Sequence, residues 1–246
     1  MIPLVTVAHG SRDPRSAATI RALARRIPGA RVSFLDLSTP LTGDVLRSLH
    51  DDGHRAAVVV PLLLGSAYHA RVDLPALTDR APLRVSISDV LGGDPVLEEV
   101  ALDRLAETGA DLSDPALGVV VAAVGSSHAP ANAAVTRTAR RWQARHGFLA
   151  TPAFVGGTLA AQDVPTAVAR LRARGARRIA VASWFLAPGL LPDRVAALAP
   201  DARVAAPLAP DPRIAGLVLR RYGEALMAAR CPIPAPAGLP GVALTG

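Results

Sequence analysis

Short runs of Val, Leu, Ile and Ala alternate along this chain with longer stretches in which apolar residues return every three or four positions. The runs at residues 2–8, 31–37, 56–64 and 83–87 are bounded by Gly, Pro or charged residues, as strands buried on both faces are. Helical spacing fills the intervals at 15–26, 41–52, 72–79 and 95–107. The second half repeats the alternation, with strands predicted at 118–124, 150–155, 178–185 and 202–206. Its helices are predicted at 131–145, 164–174, 192–198 and 211–229. Strict β–α alternation of this kind predicts an α/β protein with two parallel sheets flanked by helices, one sheet per half.

The halves also match in sequence. LVTVAHGSRDPRSAATIRALARR (residues 4–26) is restated as VVVAAVGSSHAPANAAVTRTARR (119–141), which aligns Gly10-Ser11 with Gly125-Ser126 and puts Val124 in the place of His9. VVVPLLLGSAYHARVDLP (58–75) returns as IAVASWFLAPGLLPDRV (179–195), with Leu191 opposite His69. LGGDPVLEEVALDRL (91–105) pairs with LAPDPRIAGLVLRRY (208–222) through a shared Asp-Pro ahead of a helical run. Three landmarks in one order indicate an internal duplication. We therefore expect domains at 1–112 and 113–230, joined near 108–115, and a Pro/Gly-rich tail at 231–246.

Composition narrows the function classes. Half of the 246 residues are hydrophobic, enough for a core in each half. No apolar run reaches the ~18 residues of a membrane span, and no leader-like segment precedes the first strand. A soluble, cytoplasmic protein is expected. The lone Cys231 leaves no intrachain disulfide and no cysteine-held metal site. The net charge of +7 comes from arginines scattered over helix faces, and aromatics make up only 3% of the chain. That pattern argues against nucleic acid and suits an acidic small molecule.

Ligands of parallel α/β sheets bind at the carboxyl ends of the strands. His9 follows the first strand and His69 the third, so both are expected on one rim of the first sheet. Two imidazoles converging there could hold a divalent transition metal or accept protons; each could equally be a loop histidine bonded to backbone. His50, His54 and His146 fall near helix ends, and His128 lies in a loop near the second rim. Val124, Leu191, Trp184 and Phe185 would offer the same cleft an apolar wall, or, for the two aromatics, fill the core. A dinucleotide fingerprint, a P-loop and a G-x-S-x-G nucleophile elbow are all missing.

AHGSRDP (8–14), FLDLSTP (34–40), VVPLLLGSAYHARVDLP (59–75) and VGSSHAPANA (124–133) resemble the motifs of the sirohydrochlorin chelatases. The likeness runs over roughly residues 1–222. It implies two Rossmann-like lobes facing across a cleft, and ATP-independent insertion of Fe²⁺ or Co²⁺ into sirohydrochlorin, an anionic tetrapyrrole of siroheme and cobalamin synthesis. It implies that His9 and His69 are the catalytic, metal-handling pair, with the metal a substrate and no permanent cofactor. Family members often carry Glu where Asp36 stands; Asp is a methylene shorter, so Asp36 is assigned an auxiliary role. Asp73 is assigned to the start of a helix or to orienting His69. Ser11, Arg12, Arg71, Ser126, Ser127 and Arg194 are candidates for the substrate carboxylates. With both lobes in one chain, a monomer is expected, with no membrane or nucleic-acid partner. A non-catalytic metal or tetrapyrrole carrier is the rival reading.

Overall fold

A computed structural model describes residues 1–65, 73–156 and 162–230. The first half contributes β1 (Leu4–Ala8), α1 (Pro14–Ala24), β2 (Arg31–Phe34), α2 (Thr42–Asp51), β3 (Ala56–Pro61), α3 (Leu74–Thr78), β4 (Arg84–Ile87) and α4 (Pro95–Glu107). The second contributes β5 (Leu117–Ala123), α5 (Ala129–His146), β6 (Leu149–Phe154), α6 (Val164–Ala173), β7 (Arg178–Ser183), α7 (Leu190–Leu198), β8 (Arg203–Val204) and α8 (Pro212–Arg230). The strands form two parallel sheets, β2-β1-β3-β4 and β6-β5-β7-β8, so the same order appears twice. Pro at the first turn, behind an Asp whose carboxylate accepts a backbone N–H, starts α1, α4 and α6 (Asp13, Asp94, Asp163).

The helices do not all stay with their own sheet. The last helix of the first half, α4, packs against β7, and α8 of the second half packs against β3 and β4. The largest apolar cluster therefore lies between the sheets and draws on both halves, with Leu23, Val58, Leu97 and Leu105 beside Val119, Trp142, Ile214 and Val218. Smaller clusters under α2 and α3 on one side, and α6 and α7 on the other, seal the outer faces.

Polar contacts pin the exchanged helices. Glu98 of α4 accepts from Trp142 Nε1 at 2.9 Å and pairs with Arg141, both on α5. Arg213 of α8 reaches Asp103 of α4 at 2.7 Å, Arg220 pairs with Asp94, and the Tyr222 hydroxyl donates to the carbonyl of Ile2. Asp211 sits ahead of α8 and accepts from the Arg213 backbone N–H at 2.9 Å. The Arg213 guanidinium holds the Asp211 carboxyl below the ordinary carboxylate range, against the opposing effect of burial. Among the described residues no helix is long and apolar enough to cross a membrane.

At the end of β1 the chain turns through Gly10 at φ +95°, and a methyl group there would lie 1.7 Å from the Asp36 carbonyl oxygen. Only glycine permits both the backbone angle and this contact. The predicted second strand stops early, at Phe34, because the chain turns at Leu37, whose φ is +59°.

We expect a single cooperative heat-capacity peak for both halves, since each sheet is covered by the other half's helix; two separate peaks would contradict the exchange. Leu97→Ala, truncating a side chain with no exposure, should cost about 2–5 kcal/mol in chemical denaturation without splitting the transition. Gly10→Ala should cost more than about 2 kcal/mol, beyond the strain of its backbone angle alone. Because the folded carboxyl of Asp211 is depressed, its contribution is complete above about pH 4 and disappears as pH falls through the folded value. Stability measured from pH 6 down to 2 should therefore fall less steeply in Asp211→Asn than in the wild type.

Candidate functional site

His9 is the first residue past β1, half-buried on the carboxyl rim of the first sheet. Its carbonyl accepts from the Asp36 N–H at 3.0 Å, and the neighbouring Ala8 carbonyl accepts from Leu35 at 2.9 Å. The loop after β2 is thus carried on as a backbone ladder beyond the strands. Ser38 completes the tie: its Oγ accepts from the Ser11 N–H at 3.1 Å and donates to the Ser11 carbonyl at 3.0 Å. The Asp36 carboxylate accepts from the Leu37 N–H at 2.7 Å and is otherwise exposed on the rim beside His9. The loop holds Leu37 in the left-handed region, which costs a branched L-residue about 1–2 kcal/mol.

The second lobe rebuilds the turn with different chemistry. Ser11 Oγ accepts from the Asp13 N–H at 3.1 Å, and Ser126 Oγ accepts from the His128 N–H at 3.0 Å. Each hydroxyl keeps its proton available for a further acceptor. Asn132 clamps the second turn, accepting from the Ser126 N–H at 2.9 Å and donating to its carbonyl at 2.7 Å. Gly125, at φ +84°, lies under Phe154, where an added methyl would come within 2.9 Å of its Cβ.

The two rims meet. A methyl on Gly189, in the loop after β7, would stand 3.9 Å from Ser11 Oγ, and one on Gly65, after β3, 3.9 Å from Ala131 Cβ. The β1 turn of the first lobe thus faces the β7 loop of the second, while the β3 loop faces the β5 turn. Arg15 bridges the first junction, pairing with Asp13 at 2.6 Å and with Asp193 of α7. Its guanidinium, followed by its backbone N–H, holds the Asp13 carboxyl below the ordinary range, so the bridge is charged near neutrality.

His69 and Arg71 lie outside the described residues. Asp73 stands at the start of α3 but makes no capping bond with its side chain. Arg12 and Arg194 are exposed on the two rims, and neither has an ion pair among the described residues. Ser127 is exposed and Ser126 half-buried on the second rim. His128 precedes α5 there, whereas His50 ends α2 and His146 stacks on Phe148 with centroids 5.5 Å apart. Trp184 and Phe185 are mainly core residues, with Trp184 also at the edge of the cavity that Leu64, α4 and α5 enclose. Each is 7% exposed, and consecutive strand-end positions send Trp184 into the central cluster and Phe185 into the outer one. Leu191 packs against that outer cluster as well, whereas Val124 is open on the rim. Among the described residues no group of three His, Cys, Asp or Glu is placed to hold a metal ion. The Arg15–Asp193 bridge, Ser38, and the exposed Leu37 and Leu190 are rim features that the sequence pattern did not single out.

A family model described as CbiX matches residues 3–108 and again residues 118–225. The sirohydrochlorin cobaltochelatase of Priestia megaterium is 27% identical over 208 residues, 79% of this chain and 67% of the relative. The sirohydrochlorin ferrochelatase of the same organism is 27% identical over 132 residues, and this chain spans half of that relative's length. The cobaltochelatase of Methanopyrus kandleri, 25% identical, fits 96% of its own length onto 44% of this chain, so one half here corresponds to a whole protein there. SirB from Bacillus subtilis, solved with Fe³⁺, shares the fold with a TM-score of 0.73 at 22% identity, covering 94% of this chain and 98% of that one. Matched once in each half by the same model, and built as two copies of one α/β unit, the chain belongs to the CbiX family.

Proposed function

We propose that this protein inserts Fe²⁺ or Co²⁺ into sirohydrochlorin, in siroheme or cobalamin synthesis, with His9 and His69 handling the metal and the pyrrole protons. The observation that carries the reading is the CbiX match in both halves, together with His9 on the rim that faces the second lobe. Relatives named as cobaltochelatase and as ferrochelatase support the substrate and both metals.

Insertion exchanges one M²⁺ for two N–H protons of the macrocycle. The two nitrogens lose their protons as the metal–nitrogen bonds form, and the protons pass to a base or to water. A neutral imidazole suits both parts of the task. It holds a borderline metal without trapping it as a thiolate would, and once the metal has left, its lone pair accepts a proton. His9 is fixed for this role through its own backbone, which is bonded to Asp36 on a turn that Gly10 and Ser38 lock. Asp36, exposed one strand away, is the nearby carboxylate through which protons can leave, and Asp73 leads into α3 just beyond the segment carrying His69. Arg12, Arg71 and Arg194 meet the acetate and propionate arms, joined by the hydroxyls of Ser11, Ser126 and Ser127. The positive net charge draws the polyanionic macrocycle toward this cleft.

The test is anaerobic: purified protein is mixed with sirohydrochlorin and Fe²⁺ or Co²⁺, and the visible spectrum is followed against a protein-free control. Many insertions per chain, faster than the spontaneous rate, are expected. A spectral shift that stops at one macrocycle per chain would replace the enzyme by a carrier. His9→Ala and His69→Ala should each leave the melting curve in place and lower turnover by at least about a hundredfold. Full activity in the double variant would remove both residues from the mechanism.

A further inference from the structure

We propose that Leu37 and Leu190 are apolar jaws, one from each lobe, that grip the face of the bound macrocycle beside His9. The inference rests on the tetrapyrrole reading above and deepens it by naming the residues that hold the flat, apolar part of the substrate.

The two leucines flank one junction. Ser38, next to Leu37, is hydrogen-bonded to the Ser11 backbone at 3.1 and 3.0 Å. The Ser11 hydroxyl lies 3.9 Å from where a methyl on Gly189 would stand, and Leu190 follows Gly189. His9 is two residues before Ser11, and its carbonyl is bonded to the Asp36 N–H. Despite this dense hydrogen bonding, Leu37 keeps 46% of its surface open and Leu190 keeps 69%. Isolated exposed leucines need no explanation, and Leu219 on α8 is one of them at 41%. Leu37 differs because it is the one non-glycine residue with positive φ among the described residues, and the bonds of Asp36 and Ser38 hold it there. Asn adopts this backbone angle more readily than leucine, yet an apolar side chain stands at the position. A strained backbone that presents an apolar side chain on the rim of a cleft serves what the cleft binds.

A tetrapyrrole has the matching chemistry: an apolar face and a charged rim. Leucines on the face and arginines around the edge would orient the ring and leave its central nitrogens open toward His9. Jaws of this kind act in binding, so their removal should raise KM and leave kcat at saturation nearly unchanged.

Metal-free sirohydrochlorin is titrated, by its own fluorescence, with the full chain as wild type, Leu37→Asn, Leu37→Gly, Leu190→Asn and the control Leu219→Asn, each first checked by thermal melting. The Asn and Gly variants at position 37 both fit the left-handed backbone, so at least one folded reporter is expected. Each substitution at position 37 or 190 should weaken Kd about tenfold, the equivalent of losing half-buried leucine contact, while Leu219→Asn binds as wild type does. Steady-state insertion of Co²⁺ should show the same rise in KM with kcat held within about twofold. Wild-type affinity in the variants at positions 37 and 190 would overturn the jaws and leave the proposed function standing. Failure of the wild type itself to bind the macrocycle would overturn the tetrapyrrole reading and the jaws with it.

Discussion

The exchange of α4 and α8 between the two sheets locks the two halves around one shared core. A four-stranded parallel sheet needs apolar cover on both faces, and on the inner face each half's own helix, α1 over β2 or α5 over β5 and β6, covers only part of the sheet. Each half lends its last helix to the other to cover the rest, and the two inner faces share a single apolar layer. Separating the lobes would expose that layer and leave Glu98, paired with Arg141 and Trp142, without its partners. The relative position of the lobes is thus set by core packing. That is why the two strand rims can be held so close at the Ser11–Gly189 and Gly65–Ala131 junctions that a methyl on either glycine would reach the other lobe.

Duplication followed by divergence gives the cleft its asymmetry. Both lobes keep the glycine turn and the serine that folds back on it, with Gly10-Ser11 answered by Gly125-Ser126. Only the first lobe keeps an imidazole at the strand end; the second has Val124 there, exposed on the rim. On the proposed function, the first lobe would handle the metal and the protons and the second would help to hold the organic ligand.

Much of this was legible in the sequence. All sixteen predicted elements are present with ends displaced by a few residues, because buried parallel strands leave continuous apolar runs and helices leave a 3.6-residue period. His9 could be placed on a rim because a parallel sheet sends every such strand end the same way. Two things were hidden. The sequence does not say which sheet a helix covers, since α4 and α8 have the apolar stripe of an ordinary flanking helix, so the exchange is a tertiary choice. Nor does it say which way a residue faces at a strand end: Trp184 and Phe185 read as a possible cleft wall and turned out to be core on opposite faces. Leu37 was invisible for a related reason, because its left-handed backbone is imposed by hydrogen bonds from Asp36 and Ser38 and not by its own preference.

On the proposed function the two lobes build one site between them, not one site each. Stoichiometric titration of metal-free sirohydrochlorin, at protein concentrations well above Kd, distinguishes the two arrangements. A sharp break at one macrocycle per chain is expected. A break at two per chain would mean that each rim binds independently, and the shared cleft would have to be abandoned.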